Sequence, residues 1–204
     1  MRGRAALLLG AAALAGCGGT SVHHRAAPAR AVRLGGSPAQ PPMRAPDLAL
    51  RDQSGRLVRL SALRGKDVLL TFLYTGCVDV CPLIASTLST AVRSLPSSER
   101  GGVRVLAVSV DPHGDTPAAV RKFIAERRLV PQFRFLTGTR PQLAPVWQSW
   151  NVLVEQRNLE RVEHSAFIWL IDRRGMTRTA YRANVSALTV ARDLRALSAA
   201  DVRS

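Results

Sequence analysis

Cysteine, lysine, acid and long apolar runs are all scarce in this 204-residue chain. Three cysteines, Cys17, Cys77 and Cys81, are too few for a disulfide scaffold. A chain of this length buries about 70% of its unfolded surface and folds without such staples, as one domain. No apolar run approaches the ~20 residues of a bilayer-spanning helix. Aromatic residues make up 5% of the chain, so no stacking platform for nucleic-acid bases is spelled out. Acids number 14 against 29 basic residues, a net charge of +15, and only Lys66 and Lys122 are lysines. Such an excess can signal nucleic acid or an anionic membrane. The arginines, however, run along the whole chain without a dense cluster or interleaved aromatics. They read as a solvated surface, and no nucleic-acid partner is expected.

What is present begins at the N-terminus. Arg2 and Arg4 precede an apolar stretch over residues 5–15, which is followed by small residues, the pattern of a secretory signal. The stretch ends Leu14-Ala15-Gly16-Cys17, which resembles the lipobox of bacterial lipoproteins. That resemblance implies a signal peptide over 1–16 and a lipid on Cys17. The mature chain would then be anchored on the extracytoplasmic face of the bacterial cell membrane. Setting Cys17 aside leaves one pair of thiols, which outside the cytosol must be served by a redox partner. Residues 17–44 hold Gly, Ala, Pro, Ser and Arg with no acid and no periodicity, and read as a flexible linker. His23-His24 falls in this linker as a solvated pair. The domain is expected over 45–204.

The chain is organised around Phe72-Leu73-Tyr74-Thr75-Gly76-Cys77-Val78-Asp79-Val80-Cys81-Pro82. An apolar run over 68–73 reads as a buried strand. Leu83, Ile84, Leu88 and Val92 recur at helical spacing behind Pro82, which is tolerated in a first helical turn. Two thiols therefore sit where a strand ends and a helix begins, at orphan N–H groups and the positive end of a helix dipole. A thiolate there has its pKa lowered to roughly 4–7. The four-residue spacing puts both sulfurs on one face of a helical turn. A disulfide across so short a loop removes only about 2 kcal/mol of chain entropy, so stapling is a weak reason for the pair.

The remaining elements follow from turn and cap signals. Residues 48–63 read as a hairpin around Asp52-Gln53-Ser54-Gly55. Strands are expected over 103–110, 133–136, 166–171 and 176–181. Helices are expected over 117–128, 141–150 and 186–197, the first capped by Asp115 or Thr116 ahead of Pro117. Residues 152–163 read as an irregular hairpin. This order gives an α/β, thioredoxin-like fold: a central mixed β-sheet flanked by helices, with an N-terminal hairpin.

Three segments then carry a resemblance to the Sco/SenC family of copper-handling proteins over residues 46–197. The first is Tyr74-Thr75-Gly76-Cys77-Val78-Asp79-Val80-Cys81-Pro82. The second joins Val110-Asp111-Pro112 to Asp115-Thr116-Pro117. The third joins His164-Ser165-Ala166-Phe167-Ile168 to Leu170-Ile171-Asp172. The chain departs from many members in carrying Val78, not proline, after the first cysteine. The resemblance implies a thioredoxin-like domain binding one copper ion, Cu(I) or Cu(II), through Cys77, Cys81 and His164. It also implies as partner the copper-bearing subunit of cytochrome c oxidase, or another copper protein. Donor chemistry agrees: thiolate and imidazole suit copper, and thiolate softness favours Cu(I). Zinc would accept the same atoms but wants four ligands in a closed site. His113, on a loop, matches no ligand position. Asp79 stands where it can influence the thiols, while Asp111 and Asp115 shape and cap their loop.

The same two sulfurs would serve a thiol–disulfide oxidoreductase that reduces cysteines of a partner protein, and this alternative stays open. A peroxidase of the same fold would want a Thr/Arg environment that the sequence does not spell out. A redox-sensing interaction protein is a further possibility.

Overall fold

The computed structural model describes residues 32–156, 162–164 and 166–201. In chain order come β1 (Ser37–Arg44), the hairpin β2 (Ala49–Asp52) and β3 (Leu57–Arg59), a single 3-10 turn (Leu60–Leu63), and β4 (Asp67–Leu73). Next are α1 (Val80–Ser94), the short α2 (Ser97–Arg100), β5 (Val103–Ser109), α3 (Pro117–Glu126), β6 (Phe133–Thr137) and α4 (Arg140–Ser149). A small hairpin of β7 (Val154–Gln156) and β8 (Val162–His164) precedes β9 (Phe167–Ile171), β10 (Met176–Arg182) and α5 (Ala187–Asp201). Eight strands form one mixed sheet in the order β1-β10-β9-β4-β5-β6-β2-β3, while β7 and β8 pair with each other. The expected thioredoxin-like layout is the observed one.

β4 is central because every one of its seven residues is buried. A strand covered on both faces has no use for a polar side, and β4 is apolar but for Asp67 and Thr71, which are paired with Arg173 and with the Phe167 carbonyl. β4, β5 and β6 run parallel, while β9 pairs antiparallel to β4 on its other flank. The parallel steps are bridged by α1 and α3. Thr116 caps α3 by accepting the Ala119 N–H at 3.2 Å, with Pro117 in the first turn. α1 packs along α5. Trp150, which caps the end of α4, meets Trp169 of β9 edge-on at 5.5 Å, and Trp169 meets Phe72 of β4 at 5.7 Å.

The expected linker extends too far. Residues 37–44 form β1, paired antiparallel with β10 at the sheet edge. Gly35 N–H donates to Asp193 Oδ2 at 2.6 Å, and Thr179 Oγ donates to the Ser37 carbonyl at 2.8 Å. A side chain on Gly36 would collide with Thr179 and with the Ala180 carbonyl, so the close approach requires glycine. The pairing shifts between Pro38 and Met43, where Pro41 and Pro42 have no N–H to give. An edge strand is where the sheet tolerates that. Composition misses β1 because backbone pairing there needs no alternating side chains.

Candidate metal centre

β4 ends at Leu73 and the chain turns through Tyr74-Thr75-Gly76 to Cys77, which lies ahead of α1, while Cys81 lies inside its first turn. The two sulfurs therefore do not share one helical face as the spacing suggested. They meet because Cys77 folds back over the start of the helix. Asp79, at the N-cap position, makes no side-chain capping bond. The Cys81 N–H points instead at Cys77 Sγ, 3.3 Å away. A sulfur thus fills the acceptor role that a serine or aspartate side chain normally takes.

This placement sets the ionisation of the pair. The Cys77 pKa is lowered to about 6, first because the Cys81 S–H donates to its sulfur. Burial works the other way, and the N–H groups of Cys81 and Asp79 and the Tyr74 hydroxyl then lower it further. Donating that proton and being buried push the Cys81 thiol up. Both residues are buried and neither is in a disulfide. At neutral pH the pair is one thiolate and one thiol.

Asp115 holds the loop. Its Oδ1 accepts the Thr75 N–H at 2.7 Å, and its Oδ2 accepts the Ser109 hydroxyl at 2.5 Å. The side chain is buried, and burial pushes its pKa up to about 6 against the pull of those bonds. Ser109 in turn accepts the Asp111 N–H on its hydroxyl, and its carbonyl accepts the Trp147 indole N–H at 2.9 Å. Asp111 Oδ1 accepts the N–H groups of His113 and Gly114, and His113 itself is exposed. Asp111 and Asp115 shape the loop as expected. The Asp115–Thr75 bond across forty residues is what the sequence reading missed. The usable signal was strand direction: parallel neighbours end side by side, so their following loops must touch.

His164 closes β8, where its backbone pairs with Val154. Its side chain lies outside the described residues, as do Cys17 and His23-His24. The chain enters β9 at the thiol end of the sheet: Ile168 pairs with Thr71, and the Thr71 hydroxyl donates to the Phe167 carbonyl at 2.9 Å. Residue 164 stands just before that entry. Among the described residues no three His, Cys, Asp or Glu side chains gather around one point. The described part of the centre is therefore the two sulfurs.

A mixed sheet whose first parallel strand delivers two thiols to a helix start defines a thioredoxin-like thiol protein. Within that class the chain belongs to the SCO1/SenC family, whose sequence profile matches residues 37–199. The SCO2-like protein of Rickettsia typhi is 28% identical over 152 residues, covering 72% of this chain and 73% of that protein. Among solved structures, copper-bound ScoI of Bradyrhizobium japonicum is 28% identical with a TM-score of 0.67, covering 76% of this chain and 99% of that one. Apo Sco1 of Thermus thermophilus is 30% identical with a TM-score of 0.70, covering 82% and 99%.

Proposed function

We propose that this chain is a copper carrier. It takes one copper ion between the Cys77 and Cys81 sulfurs, with the His164 imidazole as third ligand. It then passes the ion to the copper-bearing subunit of cytochrome c oxidase or to another copper protein. The observation that carries this reading is the meeting of two thiols at the start of α1, one already a thiolate. Copper-bound relatives and a family described as one of cytochrome c oxidase assembly proteins support it. A soft cation arriving between the sulfurs replaces the Cys81 proton as the partner of Cys77, and that proton goes to solvent. Three protein ligands leave a coordination position open, through which an acceptor's ligand can enter. A signal peptide over 1–16 and a lipid on Cys17 would keep the carrier at the outer face of the membrane, and the intact mass of the mature chain tests this.

Titration of the reduced chain against a competing Cu(I) chelator tests the copper reading. One tightly bound ion per chain is expected, lost in Cys77→Ser and in Cys81→Ser because a hydroxyl is a poor ligand for a soft ion. Unchanged affinity in both variants would overturn the site.

The asymmetric ionisation of the pair also favours a second reading, reduction of a partner disulfide. The Cys77 thiolate would attack one partner sulfur, forming a mixed disulfide and releasing the other as thiolate. Cys81, after losing its proton, would attack Cys77 Sγ and release the second partner thiolate. The chain would end with a Cys77–Cys81 disulfide and the partner with two more electrons.

A further inference from the structure

Charge is dense along this chain, 21% of its residues being Asp, Glu, Lys or Arg, yet it thins out around the thiols. From Tyr74 to Val92 the only charged residue is Asp79, and residues 165–171 carry no charge. These stretches are the thiol loop with most of α1, and β9 with its entry at the thiol end. Large apolar side chains stand in solvent there. Val78, between the cysteines, is 96% exposed, Leu83 in the first turn of α1 is 53% exposed, and Phe167, the first residue of β9, is 42% exposed. Leu153, 67% exposed, leads into β7, whose first residue pairs with His164.

A single exposed apolar residue needs no explanation, whereas several grouped around a reactive centre mark an interaction surface. Depletion of charge with enrichment in large apolar and aromatic side chains is the composition of an interface core. Asp79 narrows what can cover this face. It is exposed, does not cap α1 and pairs with no cation among the described residues. The two sulfurs beside it are buried. For an acceptor ligand to reach copper between them, the acceptor surface must close over Val78, Asp79 and Leu83. The complementary face is apolar, with a positive charge set against Asp79. An anionic bilayer would instead meet that carboxylate with like charge. A second copy related by a two-fold axis through this face would set Asp79 against its own counterpart.

We propose that Val78, Leu83, Leu153 and Phe167, with Asp79 among them, are the docking face for the copper acceptor, a protein that offers an apolar rim around its own site and a lysine or arginine to Asp79. The inference rests on the copper reading above and adds to it the surface that selects the partner. Apolar contact excludes water from the shared site, and the Asp79 pair sets the register of the two faces. Copper crosses as Cu(I) with no electron moved: bonds to the acceptor's ligands form as those to Cys77, Cys81 and His164 break. Cys81 then takes a proton back from solvent, and each acceptor ligand that bore a proton releases it.

The test uses the mature chain carrying Cys17→Ser, loaded with Cu(I) under anaerobic conditions, and the metal-free soluble domain of the copper-bearing oxidase subunit as acceptor. Transfer rate against acceptor concentration gives a half-saturating concentration and a limiting rate. Covering the exposed part of Leu83 or of Phe167 contributes about fivefold in affinity each. The double variant Leu83→Ser, Phe167→Ser should therefore raise the half-saturating concentration about 25-fold, with the limiting rate and the Cu(I) affinity within about twofold of wild type. Met43→Ser, Leu57→Ser strips comparably exposed side chains from the edge strands β1 and β3. It should change the half-saturating concentration by less than about twofold. Asp79→Asn should raise it about threefold, and Asp79→Glu should keep it near wild type. Circular dichroism checks each fold, and Leu83→Ser alone, expected to raise it about fivefold, serves if the double variant does not fold. Failure of the wild type to hold Cu(I) against a chelator would remove the copper reading and this face with it. With copper held, an unchanged half-saturating concentration in the Leu83, Phe167 variant, an equal rise in the Met43, Leu57 control, or no transfer at all would overturn the docking face alone. So would vesicle binding or self-association of the wild type that the Leu83, Phe167 variant loses, which would make a bilayer or a second copy the occupant.

Discussion

Replacing Cys81 by alanine should raise the Cys77 pKa, because the Cys81 S–H is the largest influence holding it at about 6. The burial that opposes ionisation would remain, while the Cys81 N–H at 3.3 Å would still favour it. A rise of at least about 1.5 units toward the ordinary thiol range is expected. The choice of assay matters. Moving from about 6 to about 9 would cut the thiolate fraction at pH 7 from about 90% to about 1%. The intrinsic nucleophilicity of the thiolate would meanwhile rise by roughly 15- to 30-fold, since it follows pKa with a coefficient of about 0.4–0.5. The two effects nearly cancel, leaving a net change of only about three- to sixfold in reactivity at that pH. A rate at one pH is therefore a poor readout, and the inflection of thiolate ultraviolet absorbance against pH is the right one. The measurement is made in a chain also carrying Cys17→Ser, so that Cys77 is the only sulfur titrating. Cys81→Ser, which keeps an O–H donor, should move the inflection by less than half as much. Cys81 is fully buried, but truncation to alanine removes one sulfur and should cost only ~1 kcal/mol, so the fold survives. An inflection still near 6 in Cys81→Ala would refute the argument that the pair ionises as a unit.

His164→Ala separates the two readings of the site: copper affinity should fall at least about tenfold, or roughly 1.4 kcal/mol, while reduction of a test disulfide stays within a few-fold. Oxidase copper content and activity in a strain carrying only that variant should fall if copper delivery is the task, and full activity would favour the oxidoreductase. Proton release on Cu(I) binding, followed by pH-stat, should be about one per ion at pH 8, where Cys77 is already ionised. At pH 5 it should approach three if the imidazole ligates and two in His164→Ala, and equal counts in the two proteins would exclude His164 as a ligand. Asp115→Asn should alter the pH dependence of stability in a defined direction. The folded carboxyl titrates at about 6 against an ordinary 3.8, so its favourable contribution is full only below 3.8 and is lost as pH rises through 6. Relative to the variant, the wild type should therefore lose about 2 kcal/mol between pH 4 and pH 8, read by urea unfolding; a constant difference would show that Asp115 does not titrate there.

The sheet was legible because its central strand is apolar apart from Asp67 and Thr71 and its helices carry caps at the right places, as at Thr116-Pro117. β1 was not, since an edge strand with three prolines has neither alternation nor β-branched residues to reveal it. The thiol pair was legible as a pair, but its geometry was not. The bond from the Cys81 N–H to the Cys77 sulfur depends on where α1 begins, and boundaries are what local patterns specify least well. The Asp115–Thr75 bond depends on strand direction, which brings distant positions together whatever their local sequence. His164 was singled out by its motif, and the ligand role proposed for it rests on that resemblance together with the entry of β9 at the thiol end.

A sulfur that caps a helix ties the helix to the sulfur's chemistry. If Cys77 shares its charge with copper as proposed, or loses it in a bond to Cys81, the amides it accepts from are left with a poorer acceptor. A lost cap costs typically ~1 kcal/mol, enough to raise the opening of that first turn about fivefold. Amide exchange at Cys81 would then gauge the state of the Cys77 sulfur, in the first turn of α1 beside the exposed Val78.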